Sequence, residues 1–269
     1  MLAPPPRPLT RSGRKVILVA ALVTMLVEIA GLMDALPRID LGRLVISPSI
    51  FPAFFVVGLL GRRIVGRARD INAAAVYWLT AGAGLFLSMI LLDREGHLLD
   101  WFAIVIAALD EEIVYRFAVP AIVAAVLVVF RVQSRPSRVI GLAVAAVWFV
   151  LLPGHRAQWH TPADVLPFVA FAALSALVVY RSGSILATAA THAVMNMLTI
   201  IAFGGDMSRP ARSVTTGVLL VLLVSGYGFV RPRRVEQPPE GDETVIDLRD
   251  GSPLLEPVHQ EADSRPRTG

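Results

Sequence analysis

The chain has 269 residues, 55% hydrophobic and only 17% charged, with a formal net charge of +4 at pH 7 and no cysteine. A soluble domain carries about a quarter charged residues, and here the apolar excess falls in blocks of roughly 17–25 residues, the length that crosses hydrocarbon as a helix. Disulfides, thiolate metal ligands and a cysteine nucleophile are excluded, and the basic residues, all arginine except Lys15, sit in short connections rather than in a nucleic-acid-binding patch.

Residues 1–15 are rich in proline and arginine and are expected to form a disordered arm. The run from Val16 to Ala35 follows a basic flank, as in a signal peptide. It is too long for such a segment, contains Glu28 and lacks a small-residue cleavage site, so it reads as a retained first span. Taking that span as 16–36, the next are expected over 48–65, 73–92, 101–130, 138–154, 163–180, 183–203 and 212–230. Pro48 and Pro52 break the second. The fourth is too long for a straight crossing, so Pro120 kinks it or it runs strongly tilted. Residues 231–269 are polar, proline-rich and without periodicity, and are expected to be a disordered tail. The fold class expected is all-α: one polytopic transmembrane helix bundle, 16–230, of about eight spans.

Arginine placement orients this bundle. The N-terminal arm, the 61–72 loop (Arg62, Arg63, Arg67, Arg69), the 131–138 loop (Arg131, Arg135, Arg138), Arg181 and the group Arg231, Arg233, Arg234 alternate with less basic connections. Under the positive-inside rule both termini are cytoplasmic. Arginine in place of lysine, with heavy use of alanine and valine, points to a bacterial plasma membrane.

An ionisable side chain in hydrocarbon is costly, so each one needs a reason. The strongest group is Asp110-Glu111-Glu112-Ile113-Val114-Tyr115-Arg116, set between apolar runs. On a helix Glu112 and Arg116 are i and i+4 with the acid first, the favourable order for an ion pair. Glu111 lies about 100° around the helix and is free for proton transfer. In a second group His192 and Asn196 are again i and i+4 and share a face, offering either two hydrogen-bond donors to a developing oxyanion or a ligand and its orienter. His155 is a third candidate, with His160 as its rival, beside the helix-breaking pair Pro153-Gly154. Glu28 reads as an interhelical partner, Asp34 as interfacial, and Gly82 and Gly84 as close-packing positions.

In order and placement, Glu-Glu-x-x-Tyr-Arg, a later His and His-x-x-x-Asn resemble the motifs of the CAAX-protease and bacteriocin-processing family of intramembrane proteases, also called the Abi family. The likeness covers roughly 100–205. It implies that Glu111 activates water with His155 as its partner, that His192 and Asn196 stabilise the oxyanion, and that Glu112 and Arg116 are structural neighbours. The family's second motif reads F-x-x-x-H, whereas Leu151 stands four residues before His155 and Phe149 six before.

The expected function is therefore hydrolysis of a peptide bond within the bilayer, with a peptide or membrane protein as substrate, the lipid bilayer as partner and no nucleic acid. Glu111, His155 and His192 also form a two-His, one-Glu set of the kind that holds hydrolytic zinc, so spacing leaves a divalent ion and metal-free water both open. Two further classes stay open: a non-catalytic scaffold or immunity factor, and a transporter, although no inverted repeat is evident.

Overall fold

The first helix starts earlier than its apolar run. In a computed structural model that describes residues 10–37, 39–40, 45–66, 71–93, 98–159 and 162–203, α1 spans Arg11–Leu32. Thr10 caps it by accepting a hydrogen bond from the Gly13 N–H at 3.1 Å, which draws residues 11–15 out of the expected disordered arm and into the helix. The inward face carries Ile17, Ala20, Ala21, Thr24 and Glu28 at helical spacing, while Val16, Val19, Val23 and Leu26 stay exposed. Apolar residues outside with a threonine and a glutamate inside is the pattern of a helix surrounded by lipid. Asp34, at φ 55°, and the bond from the Ala35 N–H to the Ala30 carbonyl close the helix.

A hairpin of two residues per strand, β1 (Ile39–Asp40) with β2 (Val45–Ile46), was not expected and leads into α2 (Ile50–Leu60). Pro52 is tolerated in the first turn of α2, where its missing N–H has no intrahelical partner. The helix stops at Gly61 and tightens into a 3-10 turn over Gly61–Val65, so the second expected span is a helix of 11 residues with an extension rather than one rod. Gly66, at φ 68°, lies so close to the backbone of Ser182 and Ser184 that no side chain fits there.

Then follow α3 (Ile71–Asp93), α4 (Leu98–Ile113), a π-helical turn (Val114–Ala118) and α5 (Val119–Val129). The fourth expected span is thus one continuous run, Leu98–Val129. Pro120 cannot donate to the carbonyl four residues back, and the chain absorbs the loss by widening: the Val119 N–H reaches the Val114 carbonyl, a π register. The remaining helices are α6 (Ser134–Val150), the short α7 (Pro153–Arg156), α8 (Pro162–Ser182) and α9 (Ile185–Phe203).

Among the described residues three stretches are long and apolar enough to cross a membrane, Ser12–Leu32, Leu98–Val129 and Val165–Ser182, with shorter apolar helices over Ala74–Ile90 and Ile185–Leu198. The protein is an all-α helical bundle of the integral-membrane kind. The expected span 212–230, the tail 231–269 and His160 lie outside the described residues.

Two glycine positions show how tightly the helices meet. Gly84 faces the Val194 side chain, as expected of a close-packing residue, whereas Gly82 has open space beside it. Gly141 of α6 rests on Pro120, and a Cβ there would stand 2.6 Å from the Pro120 carbonyl oxygen. Backbone cannot yield as a side chain does, so Gly141→Ala is expected to destabilise the bundle by about 1–3 kcal/mol. Thermal unfolding of the detergent-solubilised variant checks this.

Candidate active site

The Glu-Glu pair sits on the last turn of α4, immediately before the π-helical turn. Widening at this point turns the following residues inward, and Tyr115 and Arg116 are both buried. The expected i, i+4 pair is present: the Arg116 Nε lies 3.4 Å from Glu112 Oε2, with both side chains fully buried. The guanidinium also stands over the Phe149 ring at 4.9 Å and the Phe171 ring at 5.9 Å. A buried cation is thereby matched by a carboxylate and by two aromatic faces.

α9 brings the second group. Tyr77 of α3 hydrogen-bonds through its hydroxyl to the Ala187 carbonyl and to Thr191, fixing the turn just before His192. The His192 Nδ1 then lies 3.1 Å from Glu112 Oε1. An ion-paired carboxylate accepts only, so Nδ1–H is the donor and the Nε2 edge faces outward from that bond. That edge approaches Glu111 Oε2 to 3.7 Å. Neither atom has a protein hydrogen-bond partner. Glu111 keeps 32% of its side-chain surface exposed, whereas His192 is wholly buried, so the pair forms the floor of a site open on the glutamate side. Asn196 follows one turn later on α9 and is partly exposed. No hydrogen bond joins it to Glu111, His155 or His192 among the described residues.

His155 reaches the site indirectly. α6 ends at Val150, and α7 starts with Pro153, so the chain turns sharply between them. The turn folds the His155 ring back against Phe149, at 4.5 Å between centroids, and its Nδ1 bonds to the Phe149 carbonyl at 2.6 Å. Phe168 flanks the same imidazole at 4.8 Å. Phe149 in turn packs edge-on against His192 at 5.5 Å, and thus stands against both histidines and Arg116. The two extra residues between Phe149 and His155, a departure from the family spacing, are taken up by this break, and phenylalanine and histidine still meet.

The expected metal set of Glu111, His155 and His192 is not assembled. Among the described residues no three His, Asp or Glu side chains stand close enough to hold a metal ion. Glu111 and His192 approach each other at 3.7 Å, while the His155 ring is held between Phe149 and Phe168 with its Nδ1 on the Phe149 carbonyl.

Phe149 is the site residue that motif spacing misses, since its contact depends on the helix break. Truncating it to alanine is expected to cost about 3–5 kcal/mol, as for other buried aromatics, and to loosen both histidines at once. Unfolding in detergent measures the first effect.

No match to the chain was found among curated proteins or solved structures. Residues 93–198 match the family model described as Type II CAAX prenyl endopeptidase Rce1-like. That stretch runs from the end of α3 into α9 and contains Glu111, Glu112, Arg116, His155, His192 and Asn196. This part of the chain is similar to the CAAX-type intramembrane proteases, the family its motifs resemble.

Proposed function

We propose that the protein is an intramembrane endopeptidase in which Glu111 activates water against a peptide bond. The observation that carries this reading is the approach of Glu111 Oε2 to His192 Nε2 across two helices, at 3.7 Å, with no protein partner on either atom. Two such atoms frame a position for a water or a scissile carbonyl.

In the reaction, the Glu111 carboxylate takes a proton from water as the water oxygen bonds to the carbonyl carbon. The resulting oxyanion accepts hydrogen bonds from the Asn196 amide and, when the His192 imidazole carries a proton on both nitrogens, from its Nε2–H. Glu111 then returns the proton to the amide nitrogen as the C–N bond breaks, releasing a carboxylic acid and an amine. Glu112 and Arg116 hold the His192 imidazole in place, and His155, backed by Phe149, helps position the water. The metal ligand set does not fit, so no step is routed through an ion. The family match favours substrates in which the scissile bond lies near a membrane-anchored C-terminus, and integral membrane placement suits both that class and other membrane-bound peptides.

The test uses the protein in nanodiscs with fluorescence-quenched peptides, with and without a C-terminal isoprenylated cysteine, and reads new termini by mass spectrometry. Cleavage that disappears with Glu111→Ala is expected. Proton or solute flux in liposomes that needs Glu111, with no peptide cleaved, would replace this reading with transport.

A further inference from the structure

The family match begins at residue 93, yet a buried carboxylate at the centre of the bundle comes from α1. Glu28 Oε1 accepts a hydrogen bond from the Tyr115 hydroxyl at 2.9 Å. Its Oε2 accepts from Ser47 at 2.6 Å and stands 3.0 Å from the Ser49 hydroxyl. Ser49 Oγ is also 2.7 Å from Asp110 Oδ2. Glu28, Ser49, Asp110 and Tyr115 are all buried. One carboxyl of α1 thus grips the Glu-Glu turn twice: through Tyr115, four residues after Glu111, and through Ser49 to Asp110, directly before it, where the one hydroxyl proton serves one carboxyl and a proton held by the other completes the bridge.

These grips matter because of what Glu112 and Glu111 do not share. Glu112 is fixed by Arg116 and His192, while the Oε2 of Glu111 has no protein hydrogen bond to fix it. Its direction depends on how the helix is rotated about its own axis. At the radius of a side-chain tip, a rotation of about 10° moves the carboxylate by about 1 Å. A displacement of that size in a reacting group can cost about 100-fold in rate. Bonds on both sides of Glu111, anchored in a different helix, resist that rotation.

We propose that Glu28 is a positioning residue, which sets the approach of Glu111 to His192 by holding Tyr115 directly and Asp110 through Ser49. The role rests on the reading of Glu111 as the base. It extends the working site beyond the family-matched stretch, and makes α1 and the segment entering α2 part of the catalytic apparatus rather than a membrane anchor alone.

The test compares wild type, Glu28→Ala, Glu28→Gln, Tyr115→Phe and Glu111→Ala in nanodiscs, with the isoprenylated peptides as probe. A second readout needs no substrate: the rate at which dicyclohexylcarbodiimide labels Glu111, followed by peptide mass spectrometry. Glu28→Ala is expected to lower kcat about 10- to 100-fold with KM nearly unchanged, and to alter the labelling rate at Glu111. Glu28→Gln keeps an oxygen for Tyr115 and should recover most of the turnover, a rescue that a purely charge-based role would not permit. Should Glu28→Ala fail to fold, Tyr115→Phe, which lacks one hydroxyl, carries the same two readouts. Wild-type kcat and wild-type labelling in Glu28→Ala and Tyr115→Phe overturn the proposal. Turnover that survives Glu111→Ala sinks the protease reading instead, and is told apart by that variant alone.

Discussion

Replacing Glu111 with alanine is expected to lower peptide turnover by about 10²–10⁴-fold, the range for loss of a general base, while the bundle stays folded. The structure separates these two effects. Glu111 retains 32% of its side-chain surface exposed, and its described ionic neighbour is His192 at 3.7 Å, too long for a hydrogen bond. Truncation therefore removes no buried ion pair and leaves no buried cation alone. Glu112, next in sequence, is the contrast: fully buried, it is bonded to His192 and paired with Arg116. A variant at Glu111 that elutes and melts like wild type yet no longer cleaves is the expected pattern, and one that cleaves normally contradicts it.

Loss of Arg116 should act on stability first. Arg116→Met leaves the Glu112 carboxylate buried with its main counter-charge gone, and breaking one side of a buried pair costs about 3–5 kcal/mol. The aromatic faces of Phe149 and Phe171 lose their cation in the same step. Adding Glu112→Gln to Arg116→Met should recover much of that loss. The amide is neutral and its oxygen still accepts from the His192 Nδ1–H, so neither a bare charge nor an orphaned imidazole remains. Unfolding by urea or heat in detergent, run as a two-by-two set of variants, reads the recovery as a coupling energy. Equal destabilisation in the single and double variants would show that Arg116 holds the fold through its packing and not through Glu112.

The positions of the helices were legible because hydrocarbon imposes a length on each apolar run. Where the boundaries moved, a local residue explains it: the Thr10 cap extended α1 backwards, and Gly61 divided the second span. Pro120 signalled an irregularity as a kink or a tilt, whereas the chain absorbs the missing hydrogen bond as a π-helical turn. Within the site, helical spacing read the Glu112–Arg116 pair correctly, and it also put His192 and Asn196 on one face. Contacts between helices were beyond it. Nothing in the spacing tells that Glu111 meets the Nε2 edge of His192, that the break after Val150 returns His155 to Phe149, or that Glu28 reaches Asp110 through Ser49. Glu28 was readable only as an interhelical partner, because a lone carboxylate in a span announces a partner without naming it.

If Glu111 and His192 act on one water as a single unit, their losses must not multiply. Turnover of a cleaved peptide by Glu111→Gln, His192→Ala and the double variant, each confirmed as folded, measures this directly. A double variant no slower than the slower single one is the expected result. Losses that multiply, or wild-type turnover in either single variant, would mean that the two side chains do not share the reaction.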